Sequence, residues 1–437
     1  MDPAAELINR YFPPDRGCLT IGGVRVSELV DRYGTPLFVY DRAAIERKWE
    51  LLRKALPAEF SICYSVKANP AQAVIRCLLA KGAGLEIASA GEFCQATHAG
   101  CPPSRIIFAG PGKTEAELDL VLSHGIGEIH VESLTEAARI ASIAARLGKP
   151  APIALRVNPA GEAEGGAMRM GGRPAPFGVD EETVDDAVDR ILSWSSLEFR
   201  GIHLFAGTQI LSFEILLAQY RKGLEIARRV AARLERPLTT VDFGGGLGIR
   251  YFPHEAELDL DSFQAGLQPV MEDVRRDPLF RDTHFYVEPG RYLLGEAGVY
   301  ITRVNDIKLS RGKKYLILDG GMNHHLAASG NLGQTIKRNY PVALLNRLDR
   351  PPEETVDVVG PLCTPLDILA RGIELPRAEI GDLAGVFQSG AYGRSASPLG
   401  FLSHSAPPEI WTDNGAHRLI RRRGEAAEYL RDQCIES

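Results

Sequence analysis

The run Gly84-Leu85-Glu86-Ile87-Ala88-Ser89-Ala90-Gly91-Glu92 passes from a short β-type segment into a helix start within nine residues. Ser89 and Glu92 have the spacing of a capping box. The hydroxyl can accept from the third helical amide while the carboxylate reaches back to the cap amide. The same pairing recurs at Thr114 with Glu117 and at Ser133 with Glu136. Three successive units make strand–helix alternation more than a consequence of composition.

Working outward, β-type runs occur at Ser61–Val66, Gly84–Ala88, Arg105–Ala109, Glu128–Glu132, Pro152–Val157, Phe199–Phe205, Thr239–Phe243 and Thr283–Glu288. Helical patterns separate them. Phe213, Leu216, Leu217, Tyr220, Leu224 and Ala227, for example, follow one face of period 3.6. Eight strands alternating with helices predict an α/β fold built on a (β/α)8 TIM barrel over residues 42–295, with a helix at 43–56 before the first strand. Beyond residue 295 the texture changes to short β-like runs, Val299–Arg303, Lys314–Leu318, Glu354–Val359 and Ala384–Phe387. These predict a second, mainly β domain of residues 296–437 together with 1–41. The Gly- and Pro-rich stretch from Pro159 to Pro176 is expected to form a lid-like excursion.

Composition excludes several classes. Of 437 residues, 45% are hydrophobic and 24% charged, which are ordinary globular values. Disorder, collagen and coiled coil do not fit. Lys plus Arg number 50 against 56 Asp plus Glu, a net charge of −6, without the basic surplus of nucleic-acid binders. The first 16 residues have no apolar signal core, and no stretch approaches a membrane span. The seven cysteines are odd in number and show no CxxC pair. Neither a disulfide framework nor a zinc ribbon is expected; a reducing cytoplasm and no metal are. Glycine is the outlier, with 44 residues, about 10% against a usual 7%.

In such barrels the chemistry sits where strands end. Lys67 follows the first strand, in Tyr64-Ser65-Val66-Lys67-Ala68-Asn69-Pro70. His203 and Phe205 end the sixth, Gly244, Gly245 and Gly246 follow the seventh, and Glu288-Pro289-Gly290-Arg291 closes the eighth. A glycine triplet lets backbone amides approach phosphate oxygens, although taken alone a tight turn with no ligand is the better reading of it. A lysine in an apolar run is expected to be buried, and burial frees its amine for Schiff-base chemistry. Lysine, phosphate cradle and strand-end carboxylate together point to pyridoxal 5'-phosphate. In that reading the carboxylate keeps the pyridine nitrogen protonated.

Those motifs, with Gly360-Pro361-Leu362-Cys363 and Gly390-Ala391-Tyr392-Gly393, resemble the fold-type III pyridoxal phosphate-dependent decarboxylases, which include diaminopimelate, ornithine and arginine decarboxylases. The resemblance runs from about Gly34 to Trp411. It implies an alanine racemase-like fold and a cytoplasmic homodimer with shared active sites. Lys67 is then the Schiff-base lysine. Gly244 to Gly246, Arg291 and Tyr392 lie around phosphate and substrate, and Glu288 pairs with the pyridine nitrogen. Cys363 reaches into the partner's site and protonates the carbanion left by CO2, a role that a thiol with a pKa of about 8.5 can fill.

The departures concern substrate. The family usually places an acid directly after the cysteine to pair with the substrate's distal ammonium; here Thr364 stands there. The lost charge-assisted bond is worth roughly 1.5–3 kcal/mol. Asp367, three residues on, is the remaining acid of that turn. On strand six the family reads His-x-Gly-Ser-Gln and this chain Phe205-Ala206-Gly207-Thr208-Gln209. Phe205 can stack on the cofactor without titrating, and Thr208 can offer its hydroxyl to the phosphate. His203 projects to the same side two residues earlier. Pro174-Ala175-Pro176 replaces a basic residue before Phe177-Gly178, and Arg394-Ser395-Ala396-Ser397-Pro398 replaces the usual Asn and Arg pattern after Tyr392. With Gly320-Gly321-Met322-Asn323-His324-His325, these features resemble the subgroup of L-glutamyl-[acyl-carrier-protein] and exosortase-associated decarboxylases. The implied substrate is carrier-tethered or distally neutral, and the basic residues Arg418 and Arg421 to Arg423 are candidates to dock an acidic carrier. Diaminopimelate decarboxylation is the alternative. A racemase and a catalytically inactive homologue are the rivals from other classes.

Overall fold

Eight parallel strands close on themselves in the computed structural model, which describes residues 3–160, 168–169, 174–205, 207–334 and 336–434. They are β1 (Phe60–Ser65), β2 (Gly84–Ile87), β3 (Ile106–Phe108), β4 (Glu128–Val131), β5 (Ala151–Asn158), β6 (Leu197–Leu204), β7 (Thr240–Asp242) and β8 (His284–Val287). Each pairs with its sequence neighbours, and β8 returns to β1 through Phe285 opposite Phe60. The predicted barrel is therefore present, with strand ends within two residues of those expected. Most of the 159–176 excursion lies outside the described residues, including all of its glycines.

Only one of the three capping boxes forms in full. Thr114 accepts from the Glu117 amide, and the Glu117 carboxylate returns to the Thr114 amide at 3.0 Å. Ser89 and Ser133 do accept from their third helical amides. Their glutamates, however, bond one residue earlier, Glu92 to the Ala88 amide and Glu136 to the Glu132 amide, both at 2.7 Å. The reason is backbone conformation: both serines are fully extended, at φ −162° and −161°. Thr114, at φ −77°, turns its own amide toward the carboxylate.

Contacts divide the chain into two units. One is Glu50–Ile249 with Glu257–Gly290, which contains the barrel; the other is Met1–Trp49, Arg250–Ala256 and Arg291–Ser437. In the barrel unit the helix Phe213–Arg233 buries Leu216, Leu217, Tyr220, Leu224 and Ala227. Tyr220 stacks on Phe243 at 4.3 Å, and Phe60 and Phe285 continue the cluster. In the other unit the long strand Gly298–Ser310 pairs antiparallel with Leu37–Asp41, which pairs parallel with Glu409–Asp413. Its core joins Phe12, Leu19, Leu37, Val39, Val299, Ile301, Phe387 and Ile410. Among the described residues no helix is long and apolar enough to cross a membrane.

Candidate active site

The barrel interior is polar where the strands carry charged residues at alternate positions. Positions i and i+2 of a strand share a face. Glu128 and Thr240 therefore meet in one layer, with the Thr240 hydroxyl donating to Glu128 Oε2 at 2.8 Å. Two residues on, His130 and Asp242 meet His203 and Glu288 in the next layer. The His130 and His203 rings stack at 4.1 Å with 23° between planes. Glu288 Oε1 lies 3.7 Å from His130 Nδ1, and its Oε2 lies 3.6 Å from His203 Nε2. All four residues are at most 6% exposed.

Burial shapes their charge. It pushes the Asp242 carboxyl well above the usual range, and the neighbouring Glu288 pushes it further. Burial, then His130, pushes His203 well below the usual imidazole value, so His203 is neutral. Both His203 nitrogens and Glu288 Oε1 are buried without a hydrogen-bond partner. Such orphans are costly and call for a ligand. A donor trio of His130, His203 and Glu288 has its atoms within 4.8 Å of one another, but near-parallel stacked rings do not converge their lone pairs as a metal's tetrahedral shell requires.

Lys67 departs from the expected burial. β1 ends at Ser65, and the chain turns through a 3-10 segment, Val66–Ala68. This leaves the lysine side chain 46% exposed. Its ammonium donates to both Glu86 oxygens, at 3.0 and 3.1 Å, from an exposed stem to a fully buried carboxylate. The turn is fixed locally. Tyr64 Oη donates to the Asn69 carbonyl at 2.8 Å and accepts from the Asn69 amide at 3.0 Å. The Ser65 amide donates to the Pro289 carbonyl at 3.2 Å, joining the lysine turn to the loop after β8. Any Cβ at Gly290 would lie 2.9 Å from that of Ala68, so the approach requires glycine.

The glycine loop follows β7. Gly244 and Gly246 have φ of +65° and +96°, and a Cβ at Gly245 would lie 2.5 Å from the Glu288 carbonyl oxygen. The Gly244 amide donates inward to Asp242 Oδ1 at 2.7 Å. The reading of the triplet as a phosphate cradle therefore rests on Gly245 and Gly246. Phe205 packs beside Gly244, and the Arg156 guanidinium lies 5.9 Å from its ring. Thr208 lies on a two-residue strand, Gly207–Thr208, paired with Met168–Arg169.

In the second unit, Arg291 Nη1 donates to Tyr251 Oη at 2.8 Å, and the guanidinium sits 4.7 Å from the Tyr392 ring centre. Tyr392 holds φ +52°, unusual for an aromatic residue, and Arg291 Nε is buried without a partner. Cys363 and Thr364 lie on the turn between Gly360 and Asp367. Cys363 is exposed. Asp367 is 3% exposed, with Oδ1 accepting from the Met322 amide at 2.7 Å and Oδ2 from the Leu362 amide at 2.9 Å. Both oxygens are engaged, so Asp367 is no substitute for an acid at position 364. The basic cluster is also partly internal: Arg421 pairs with Glu409, and Arg423 donates to the Tyr33 and Pro36 carbonyls at 3.2 and 3.0 Å.

Sequence reasoning missed Glu86, His130, Asp242 and Tyr251. Three of them carried a signal, a charged residue or histidine inside an apolar β-run.

Residues 42–295 match the family model of the pyridoxal-dependent decarboxylase, pyridoxal binding domain. The chain is 37% identical over 418 residues to L-glutamyl-[BtrI acyl-carrier protein] decarboxylase of Niallia circulans, covering 95% of this chain and 97% of the relative. It is 34% identical to diaminopimelate decarboxylase of Aquifex aeolicus, covering 98% of each. The crystal structure of diaminopimelate decarboxylase from M. jannaschii superposes with a TM-score of 0.90 at 25% identity, covering 98% of this chain and 99% of that one.

Proposed function

The chain belongs to the pyridoxal-dependent decarboxylases, and from that premise we propose that it decarboxylates an amino acid whose far end is uncharged, such as a glutamyl group held on an acyl-carrier protein. The observation that carries the substrate reading is the turn of Cys363. Thr364 stands where, by resemblance, an acid would meet a distal ammonium, and the remaining carboxylate of that turn, Asp367, spends both oxygens on backbone amides. The 37% identity to a decarboxylase of a carrier-bound glutamyl group supports the same reading.

Pyridoxal phosphate fits the donor set. Lys67, Glu288 and the Gly245–Gly246 turn would hold it, with Arg291 and Tyr392 assigned to phosphate and substrate by resemblance. When bound, it supplies an electron sink that lets the α-carboxylate leave as CO2. The chain's own residues do the rest. Glu86 holds the Lys67 ammonium in place. Glu288, unpartnered at Oε1, offers its carboxylate to a cationic ring nitrogen. Phe205 gives an apolar face that cannot titrate. Cys363, supplied by a second copy in a homodimer, gives its thiol proton to the carbon that lost CO2.

The test measures CO2 release from glutamyl-carrier thioester, free glutamate, meso-diaminopimelate, lysine, ornithine and arginine. Turnover of the thioester is expected. Efficient turnover of meso-diaminopimelate instead would establish the second reading, which the 34% identity to a diaminopimelate decarboxylase supports. The visible absorbance of bound cofactor tests the premise: no band after adding pyridoxal phosphate, or one that survives Lys67→Ala, refutes it.

A further inference from the structure

We propose that Gln209 is a positioning residue for the loop after β7, holding the Gly245, Gly246 and Leu247 amides ready for a phosphate group. The inference rests on the cofactor reading above. It gives a role to the last residue of the Phe205–Gln209 run, which that reading leaves unused.

The loop's amides divide into engaged and free. At its start the Gly244 amide donates to Asp242 Oδ1 at 2.7 Å. At its end the Gly248 amide donates to the Ile210 carbonyl at 3.0 Å, and the Ile249 amide to Gln209 Oε1 at 3.2 Å. Between them, the Gly245, Gly246 and Leu247 amides have no hydrogen-bond partner among the described residues. Leu247 is buried, and a buried amide without a partner is costly. Gly244 and Gly246 are left-handed, at φ +65° and +96°, and successive amides around left-handed residues form concave anion sites.

Two neighbours set which way the free amides face. In a planar trans peptide the carbonyl and the following N–H point to opposite sides. The Glu288 amide donates to the Gly244 carbonyl at 2.8 Å, so the Gly245 N–H faces away from Glu288. The Ile210 amide donates to the Gly246 carbonyl at 2.9 Å, so the Leu247 N–H faces away from Ile210. Gln209 anchors this second pairing. Its side-chain amide meets the Ile249 backbone twice, Oε1 accepting from the amide and Nε2 donating to the carbonyl. A side chain thus extends the parallel bridge between Ile210 and Leu247. The two segments run in direct contact, since a Cβ at Gly248 would lie 2.9 Å from the Gln209 carbonyl carbon. Gln209 itself is held at φ +62°. A left-handed residue other than glycine is strained, and such strain persists where surrounding bonds enforce it.

The experiment uses the full chain as wild type, Gln209→Gly and Gln209→Asn. The readouts are the dissociation constants of pyridoxal phosphate and of pyridoxal, which lacks the phosphate, and the circular-dichroism melt. Gln209→Gly removes the clamp and suits the left-handed backbone. Asparagine also tolerates that backbone but, shorter by one methylene, cannot keep both bonds to Ile249. Each variant is expected to bind pyridoxal phosphate about ten-fold more weakly, the worth of one hydrogen bond to a charged group, while its affinity for pyridoxal stays at the wild-type value. A folded variant with wild-type affinity for pyridoxal phosphate overturns the proposal. So does one that loses affinity for both compounds equally, which is what a merely structural role predicts. If the Gly variant does not fold, the Asn variant is judged by the same two criteria. A wild type that binds neither compound refutes the cofactor reading instead, which keeps the two failures distinct.

Discussion

Replacing Asp367 by alanine should loosen the turn that presents Cys363 and Thr364. The carboxylate is 3% exposed and accepts from two amides, Met322 at 2.7 Å and Leu362 at 2.9 Å. Each amide left buried without an acceptor costs about 1–3 kcal/mol, so the pair costs about 2–6 kcal/mol, toward the lower end if water enters. A loss of about 2 kcal/mol in a unit of this size lowers the melting temperature by roughly 4–8 °C. Asp367→Asn keeps one acceptor oxygen but turns an amine on the other N–H, so it should fall between wild type and alanine. The structure adds a functional consequence. Gly321 and Gly360 lie against the Asp367 carboxylate, where a Cβ would meet it at 2.3 and 2.2 Å. The acid thus closes the Cys363 turn onto the Gly320–Met322 segment. Circular-dichroism melts give the stability change, and product analysis shows whether the proton still reaches the right carbon. An alanine variant that melts within a degree of wild type and keeps its kcat would refute the assignment of Asp367 as the clamp of this turn.

Three further outcomes are expected. Thr364→Glu should raise kcat/KM for substrates with a distal ammonium by about ten-fold or more; no gain in the CO2 assay would mean that position 364 does not face the substrate's far end. Cys363→Ala should lower kcat by about 10²–10⁴, the range of a lost general acid, with an unchanged melt because the residue is exposed; unchanged kinetics and product would remove it from the reaction. Burial, with Asp413 adding, raises the Asp41 carboxyl from 3.8 to about 6. Its stabilising contribution is therefore full below pH 4 and lost as pH rises through 6. Asp41→Asn retains an acceptor for the Ala43 amide, now 3.0 Å from Asp41 Oδ1. Its stability relative to wild type should therefore grow by about 3 kcal/mol between pH 4 and 7, and a flat difference in urea midpoints would contradict the assignment.

The barrel was legible because its strands are short apolar runs whose helices start on recognisable caps. The candidate site was legible in part. Lys67, Glu288 and the glycine loop stand at strand ends, where order along the chain is also order around the barrel. The interior layer was not read, although Glu128-Ile129-His130 and Thr240-Val241-Asp242 place polar residues two apart in strands that burial would otherwise fill with apolar ones. Sequence shows that such residues share a face but not which of them meet, because their encounter depends on closure of the barrel. Lys67 illustrates the converse error: its apolar neighbours predicted burial, but the strand ends two residues earlier, and the turn carries the ammonium to a buried Glu86. The meaning of Thr364 has the same origin. A carboxylate three residues away can serve a ligand or a pair of backbone amides, and the spacing Cys363-Thr364-Pro365-Leu366-Asp367 permits both. Only the positions of the Met322 and Leu362 amides decide between them, and Met322 lies in a segment 45 residues distant in sequence. With Asp367 committed to those amides, the Gly360–Asp367 turn keeps no free carboxylate, and that is the observation on which the proposal of a distally uncharged substrate stands.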